Sequence, residues 1–198
     1  MKADVKEKIS AMREEANARN LPVMRERTAA FLSALIADKM PLQVLEIGTC
    51  TGVSGLTALA AGAQKLTTVE LDSDRAEEAR RNFAESGYGS NVTVIEGDCR
   101  EVLRYLDGNK YDFVILDGPK SDLGEQFEEC MGMLERGGIV FIDDVNYHGM
   151  IAAEGAPHKQ RTIIRNMREF LDKLKTDERV KTSFYDEEDG FAVAEKIK

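Results

Sequence analysis

The stretch Leu45–Gly55, LEIGTCTGVSG, decides the fold. Val44 to Ile47 reads as a short buried strand, and a helix is expected from about Val53. Between them Gly48, Gly52 and Gly55 allow a tight turn and close backbone approach. A strand, a glycine loop and a helix in that order cradle a nucleotide-like cofactor. The next apolar run, LTTVELD, carries Glu70, 22 residues after Gly48. A carboxylate at that strand end can accept the hydroxyls of a ribose. The glycine spacing is G-x-x-x-G-x-x-G rather than the dinucleotide G-x-G-x-x-G. Acidic Glu46 also stands two residues before the first glycine. Both features point away from a nicotinamide dinucleotide and towards S-adenosylmethionine, which has an adenosine, no pyrophosphate and a sulfonium that tolerates acidic neighbours. The plain alternative is a βαβ unit whose first turn merely contains glycines.

The rest of the chain bounds this reading. At 198 residues it is expected to form one domain over 1–198 with a sizeable core. Its composition, 42% apolar and 32% charged, is that of an ordinary globular protein. No apolar run approaches the ~20 residues of a membrane span. The charged N-terminus, MKADVKEKISAMREEANARN, has no apolar stretch of the secretory type. Cys50, Cys99 and Cys130 show no metal-type spacing and read as reduced thiols, so a cytoplasmic location is expected. A net charge of −9 disfavours broad binding to nucleic acid.

Elements alternate along the sequence. Two N-terminal helices are expected at about Lys2–Asn17 and Pro22–Asp38, the latter with Pro22 in its first turn. Strands follow at about Val44–Ile47, Leu66–Leu71, Val92–Glu96, Phe113–Asp117 and Ile139–Asp143. Helices at about Val53–Ala61, Asp74–Ser86, Arg100–Leu106 and Leu123–Leu134 fill the gaps. Gly87–Gly89 and Gly137–Gly138 read as breaks. Repeated β-α-β with short apolar strands implies a parallel sheet covered on both faces. A helix at about Gln160–Leu174 then leads to Lys181–Tyr185 and Phe191–Ala194, which the acidic turn Asp186–Gly190 makes an antiparallel hairpin.

Ligands in such sheets bind at the carboxyl ends of the strands. Glu70, Asp98, Asp117, Asp143 and Asp144 all fall at such ends. Asp117, Asp143 and Asp144 could converge and offer oxygen donors to a hard divalent cation such as Mg²⁺; caps and turns are the alternative. Lys120, three residues past Asp117, is a candidate base. Arg161, Arg165 and Arg168 share one helix face, as a solvated surface, a subunit contact or an anion clamp. No G-x-S-x-G elbow accompanies His148 or His158. No tyrosine has a lysine four residues later, which excludes the Tyr-x-x-x-Lys pair of short-chain oxidoreductases.

Taken together, LEIGTCTGVSG, VELD, VIEGDCREVL, FVILDGPK, GGIVFIDDVNYHG and DEEDGFAVAEK resemble the cation-dependent O-methyltransferases of the catechol and caffeoyl-CoA type. The likeness extends to short bacterial members, some of which methylate hydroxyuridine in tRNA. It runs from about Leu21 to the C-terminus. It implies a Rossmann-like class I methyltransferase: a seven-stranded, mostly parallel α/β sheet with an antiparallel C-terminal hairpin. Two extra helices (1–40) would precede the core (42–198).

The resemblance places Glu46, Gly48, Thr49, Cys50 and Ser54 around the cofactor loop. It puts Glu70 and Leu71 at the ribose, and Gly97, Asp98 and Cys99 near the adenine. Asp117 would touch the cofactor and, with Asp143 and Asp144, hold Mg²⁺; Lys120 would be the base. Asp144 stands where the family usually has asparagine, Cys50 replaces an aromatic residue, and Gly118–Pro119 are smaller than in some animal members. The long insertion with which plant members bind acyl-CoA is absent. The implied reaction is methyl transfer to a metal-coordinated hydroxyl of a small, catechol-like acceptor, by a homodimer. The alternatives are methylation of tRNA wobble 5-hydroxyuridine and a non-catalytic protein that binds S-adenosylmethionine or S-adenosylhomocysteine.

Overall fold

The computed structural model describes residues 3–106, 108, 110–153, 155 and 157–198. Its strands are β1 (Gln43–Ile47), β2 (Lys65–Glu70), β3 (Val92–Glu96), β4 (Tyr111–Leu116), β5 (Leu134–Asp143), β6 (Val180–Tyr185) and β7 (Phe191–Lys196). Its helices are α1 (Ala3–Ala18), α2 (Glu26–Lys39), α3 (Val53–Ala61), α4 (Ser73–Glu85), α5 (Cys99–Tyr105), α6 (Leu123–Met133) and α7 (Arg161–Thr176). The strands form one sheet in the order β3-β2-β1-β4-β5-β7-β6. β1 to β5 run parallel, and β7 is antiparallel to both β5 and β6. This is the expected seven-stranded sheet with a C-terminal hairpin.

Alternation along the strands divides the core in two. In β4, Val114 and Leu116 face the layer of α5, α6 and α7, with Val102, Phe127 and Phe170. Phe113 and Ile115 face the layer of α1 to α4, with Met12, Leu32, Leu56 and Phe83. The same period puts Glu46 on the side of Val44, under α3. Among the described residues no helix is long and apolar enough to cross a membrane.

Two features of the element boundaries differ in kind from expectation, and one end is not described. Lys2, expected to open the first helix, lies outside the described residues. The second helix starts at Glu26, not Pro22; residues 22–25 precede it outside any helix or strand, with Arg25 extended. Arg25, at the helix N-cap, offers no side-chain cap. Glu188 in the β6–β7 turn replaces it: its carboxylate accepts from Thr28 N (2.9 Å), Thr28 Oγ1 (3.0 Å) and Arg27 N (3.3 Å). A helix N-terminus needs acceptors for its orphan N–H groups, and here they come from the far end of the chain. Finally, Gly137–Gly138 do not end an element. They lie inside β5, whose first residue pairs with Tyr111 across a register shift before regular pairing resumes at Phe113. The strand absorbs the glycines as an irregularity rather than stopping.

Removing the remote cap in Glu188→Ala should cost about 1 kcal/mol of stability, read as a lower denaturant midpoint at unchanged slope. An unchanged midpoint would show that the turn does not cap α2.

Candidate active site

The strand order reverses between β1 and β4, so the loops that follow them diverge and open a crevice. Gly48 ends β1 with φ +97°, and a Cβ there would lie 2.4 Å from Asp117 O at the end of β4. The two strand ends approach this closely because position 48 carries no side chain. A cavity of roughly 780 Å³ opens above them.

Glu70 lines one side of it. Its Oε2 accepts from Cys50 N (2.7 Å) and its Oε1 from Asp72 N (3.0 Å). Two backbone N–H groups thus fix the carboxylate, with lone pairs left for a ligand. Cys50 reaches Glu70 by adopting φ +49°.

The other side is a charge constellation. Lys120 Nζ donates to Asp117 Oδ1 (3.2 Å) and to Asp143 O (3.1 Å), and lies 3.9 Å from Asp144 Oδ2. Its side chain is 9% exposed. Burial opposes the ammonium, but Asp117, Asp144 and Asp143 outweigh it and raise the lysine pKa. Burial raises the pKa of Asp117, with Lys120 opposing and Asp144 adding to the rise. Burial, then the charges of Asp117 and Asp144, push Asp143 well up. Asp144 N donates to Asp143 Oδ1 (2.8 Å). Asp144 itself has φ +57°, a left-handed conformation that asparagine and aspartate tolerate best. Aspartate for asparagine therefore keeps the backbone and adds a charge.

Three carboxylates against one ammonium are a donor set that suits a hard, oxygen-seeking divalent cation. As the side chains stand, Lys120 occupies the middle of the set. No group of three acidic, histidine or cysteine side chains among the described residues converges tightly enough to hold a metal.

The structure thus brings Gly48, Cys50, Glu70, Asp117, Lys120, Asp143 and Asp144 to one cavity. The other expected residues lie outside its lining. Glu46 is fully buried under α3, where Ser54 Oγ and Thr68 Oγ1 each donate to it at 2.6 Å. Thr49 Oγ1 lies 2.6 Å from Thr68 Oγ1, so these groups brace the loop from below. Leu71 is 71% exposed, next to Glu70 in the chain. Gly97 N donates to Glu70 O (2.8 Å) and ties the β2 and β3 ends together. Asp98 caps α5 through Arg100 N (3.0 Å), and Arg100 holds its pKa down at about 2. Cys99 is buried, and burial pushes its thiol up.

Sequence reasoning missed the walls of the cavity. Arg13 of α1, Arg25, and Glu188 and Asp189 of the hairpin turn all line it. Arg25 pairs with Asp189, which also meets His148 Nδ1 at 3.2 Å. In the sequence Arg13 is one charge in a polar helix, and nothing local marks it. The arginine face of α7 is partly structural: Arg168 donates to the carbonyls of Met150, Ile151 and Ala153. Arg165 lies 3.8 Å from Glu169.

Glu46 supplies a pH test. Burial raises its pKa to about 7, against the hydrogen bonds from Ser54 and Thr68. A carboxyl raised in the folded state destabilises the fold as pH rises from the unfolded value of about 4.5 through 7. Relative to wild type, Glu46→Gln should therefore gain about 3 kcal/mol between pH 4.5 and pH 8, measured by denaturant unfolding at each pH. A difference independent of pH would mean that Glu46 ionises normally.

Known proteins agree with this architecture. A family model described as O-methyltransferase matches residues 1–197. The chain is 26% identical over 200 residues to the Dictyostelium discoideum protein named "Probable caffeoyl-CoA O-methyltransferase 1", covering 98% of this chain and 86% of that one. The Streptomyces achromogenes O-methyltransferase TomG, solved in complex with S-adenosylmethionine, shares the fold at TM-score 0.85 and 24% identity, over 100% of this chain and 91% of that one. An O-methyltransferase from Bacillus cereus, in complex with S-adenosylhomocysteine, does so at TM-score 0.85 and 21% identity, over 97% and 91%. The fold, the crevice at its switch point and a family match over nearly the whole length lead to one conclusion: this chain belongs to the O-methyltransferase family and is an S-adenosylmethionine-dependent O-methyltransferase.

Proposed function

We propose that the cavity methylates a hydroxyl of a small, catechol-like acceptor, with Lys120 as the base. The observation that carries this reading is the shared cavity: a fixed ribose-type carboxylate, Glu70, on one side and the Asp117–Lys120–Asp143–Asp144 constellation on the other. S-adenosylmethionine would lie along the β1 loop. Its ribose hydroxyls would donate to Glu70, and its adenine would lie towards Leu71, Asp98 and Cys99. Gly48 and Cys50 would flank the methionine part, near Asp117. Glu46, Thr49, Ser54 and Gly97 would hold that loop and the strand ends in shape beneath it.

Asp117, Asp143 and Asp144 would hold Mg²⁺ or a similar divalent cation. Bound there, that cation would lower the pKa of the acceptor hydroxyl and offset the carboxylates that keep Lys120 protonated. In the transfer, the hydroxyl proton passes to Lys120 Nζ. The oxygen forms a bond to the methyl carbon as the carbon–sulfur bond breaks, and S-adenosylhomocysteine leaves neutral at sulfur. Alignment of oxygen, carbon and sulfur supplies most of the acceleration. Gly118 and Pro119, small and stiff, keep the Asp117–Lys120 segment short, and Gln126 Nε2 anchors it through Pro119 O (2.9 Å).

The tRNA alternative gains little from α7, because Arg168 is engaged with loop carbonyls and Arg165 faces Glu169. A homodimer remains our proposal; β6 ends the sheet with Phe184 42% exposed, which a second copy could cover. A cytoplasmic enzyme is likewise part of this reading.

Lys120→Ala should lose about a hundredfold or more in turnover while still binding S-adenosylmethionine. Wild-type turnover in this variant at neutral pH would remove Lys120 from the chemistry. Glu70→Ala should weaken S-adenosylhomocysteine binding by about tenfold or more, as read by calorimetry. Unchanged affinity would show that Glu70 does not hold the ribose.

A further inference from the structure

Arg13 stands on α1 and takes no part in the chemistry above. Its Nε donates to Met24 O (3.3 Å), which turns the guanidinium against the segment 22–25. Its Nη2 is buried and has no hydrogen-bond partner. The side chain lines the same cavity as Lys120 and Glu70.

The other cations of the cavity are paired. Arg25 meets Asp189, Lys120 lies 3.2 Å from Asp117, and Arg75 lies 4.0 Å from Asp72. Among the described residues no carboxylate comes within ion-pair distance of Arg13. Burial lowers its pKa, and Glu26 and Glu188, acting from farther off, do not make up the loss. A guanidinium does not give up its proton in a protein. Nη2 itself is enclosed by the protein, so it is as a cation with no counterion among the described residues that the side chain meets the cavity.

We propose that Arg13 is the specificity-determining residue of the acceptor site, and that the preferred acceptor carries a carboxylate in addition to the hydroxyl that is methylated. This rests on the methyl-transfer reading of the cavity. A single planar carboxylate matches the guanidinium fork. A phosphodiester backbone fits less well, because Glu26, Glu188 and Asp189 face the same cavity and would repel a polyanion.

The test is calorimetric titration of catechol and of 3,4-dihydroxybenzoate into the full chain saturated with S-adenosylhomocysteine. Turnover of both acceptors with S-adenosylmethionine and Mg²⁺ follows. In wild type the carboxylate-bearing acceptor should bind about tenfold or more tighter. In Arg13→Met the ratio should fall to near one, with S-adenosylhomocysteine affinity reporting an intact fold. Should that variant not fold, Arg13→Lys, which keeps the charge without the fork, should show a ratio reduced by about threefold or more. Equal affinities in wild type, no binding of either acceptor, or a ratio kept in the variants would overturn the proposal. A ratio near one, with binding of a short single-stranded RNA lost in Arg13→Met, would assign the guanidinium to phosphate and overturn it too. A clear ratio lost in the variant, with neither acceptor methylated, would uphold the carboxylate contact and sink the methyl-transfer reading instead.

Discussion

The site depends on one electrostatic constraint. Asp117, Asp143 and Asp144 line one side of the cavity, and Lys120 is the ammonium placed among them. Burial and mutual repulsion raise the pKa of Asp117 and Asp143, while the same carboxylates raise that of Lys120. Such a set is costly unless its charge is balanced. Strand geometry holds it together: β4 and β5 are parallel neighbours, so Asp117 and Asp143 leave the sheet side by side. The left-handed turn at Asp144 brings the third carboxylate back towards the lysine. Such an excess of negative charge favours cationic ligands over anionic ones.

The second constraint is steric. The backbone of β4 lies so close to Gly48 that the cofactor loop and the lysine-bearing segment pack as one unit. Glu46 stiffens that unit from below through Ser54 and Thr68, and Glu70 from the side through Cys50 and Asp72. The far wall is supplied by the two ends of the chain. Residues 22–25 and the β6–β7 turn meet through Arg25, Thr28, Glu188 and Asp189. The fold thus separates a floor made by strand ends from a wall supplied by the two ends of the chain.

What was legible in the sequence follows this division. The floor is local: LEIGTCTGVSG and FVILDGPK each carry strand, turn and functional residue within about ten positions, so periodicity and glycine spacing find them. Those signals located Gly48, Glu70, Asp117, Lys120, Asp143 and Asp144. They also named Glu46 and Asp98, which lie outside the cavity lining, because a carboxylate near a strand end looks the same whether it points up, into the sheet or at its own helix. Face is set by register, and the period of two sends Glu46 under α3. The wall was not legible. Glu188 meets Thr28 across 160 residues of chain, and no local pattern marks such a contact or sets Arg13 apart from the other charges of its helix. The misplaced start of α2 has the same origin: its cap lies in the hairpin turn, not beside the helix.

The most direct test of the account is transfer of an isotope-labelled methyl group from S-adenosylmethionine to 3,4-dihydroxybenzoate by the wild-type protein, with Mg²⁺ and with a chelator, the product identified by mass spectrometry. The account predicts label on one ring oxygen, in a reaction that stops with the chelator and resumes on adding Mg²⁺. Label transferred as fast with the chelator present, or no label on any hydroxyl while S-adenosylmethionine binds, would contradict it.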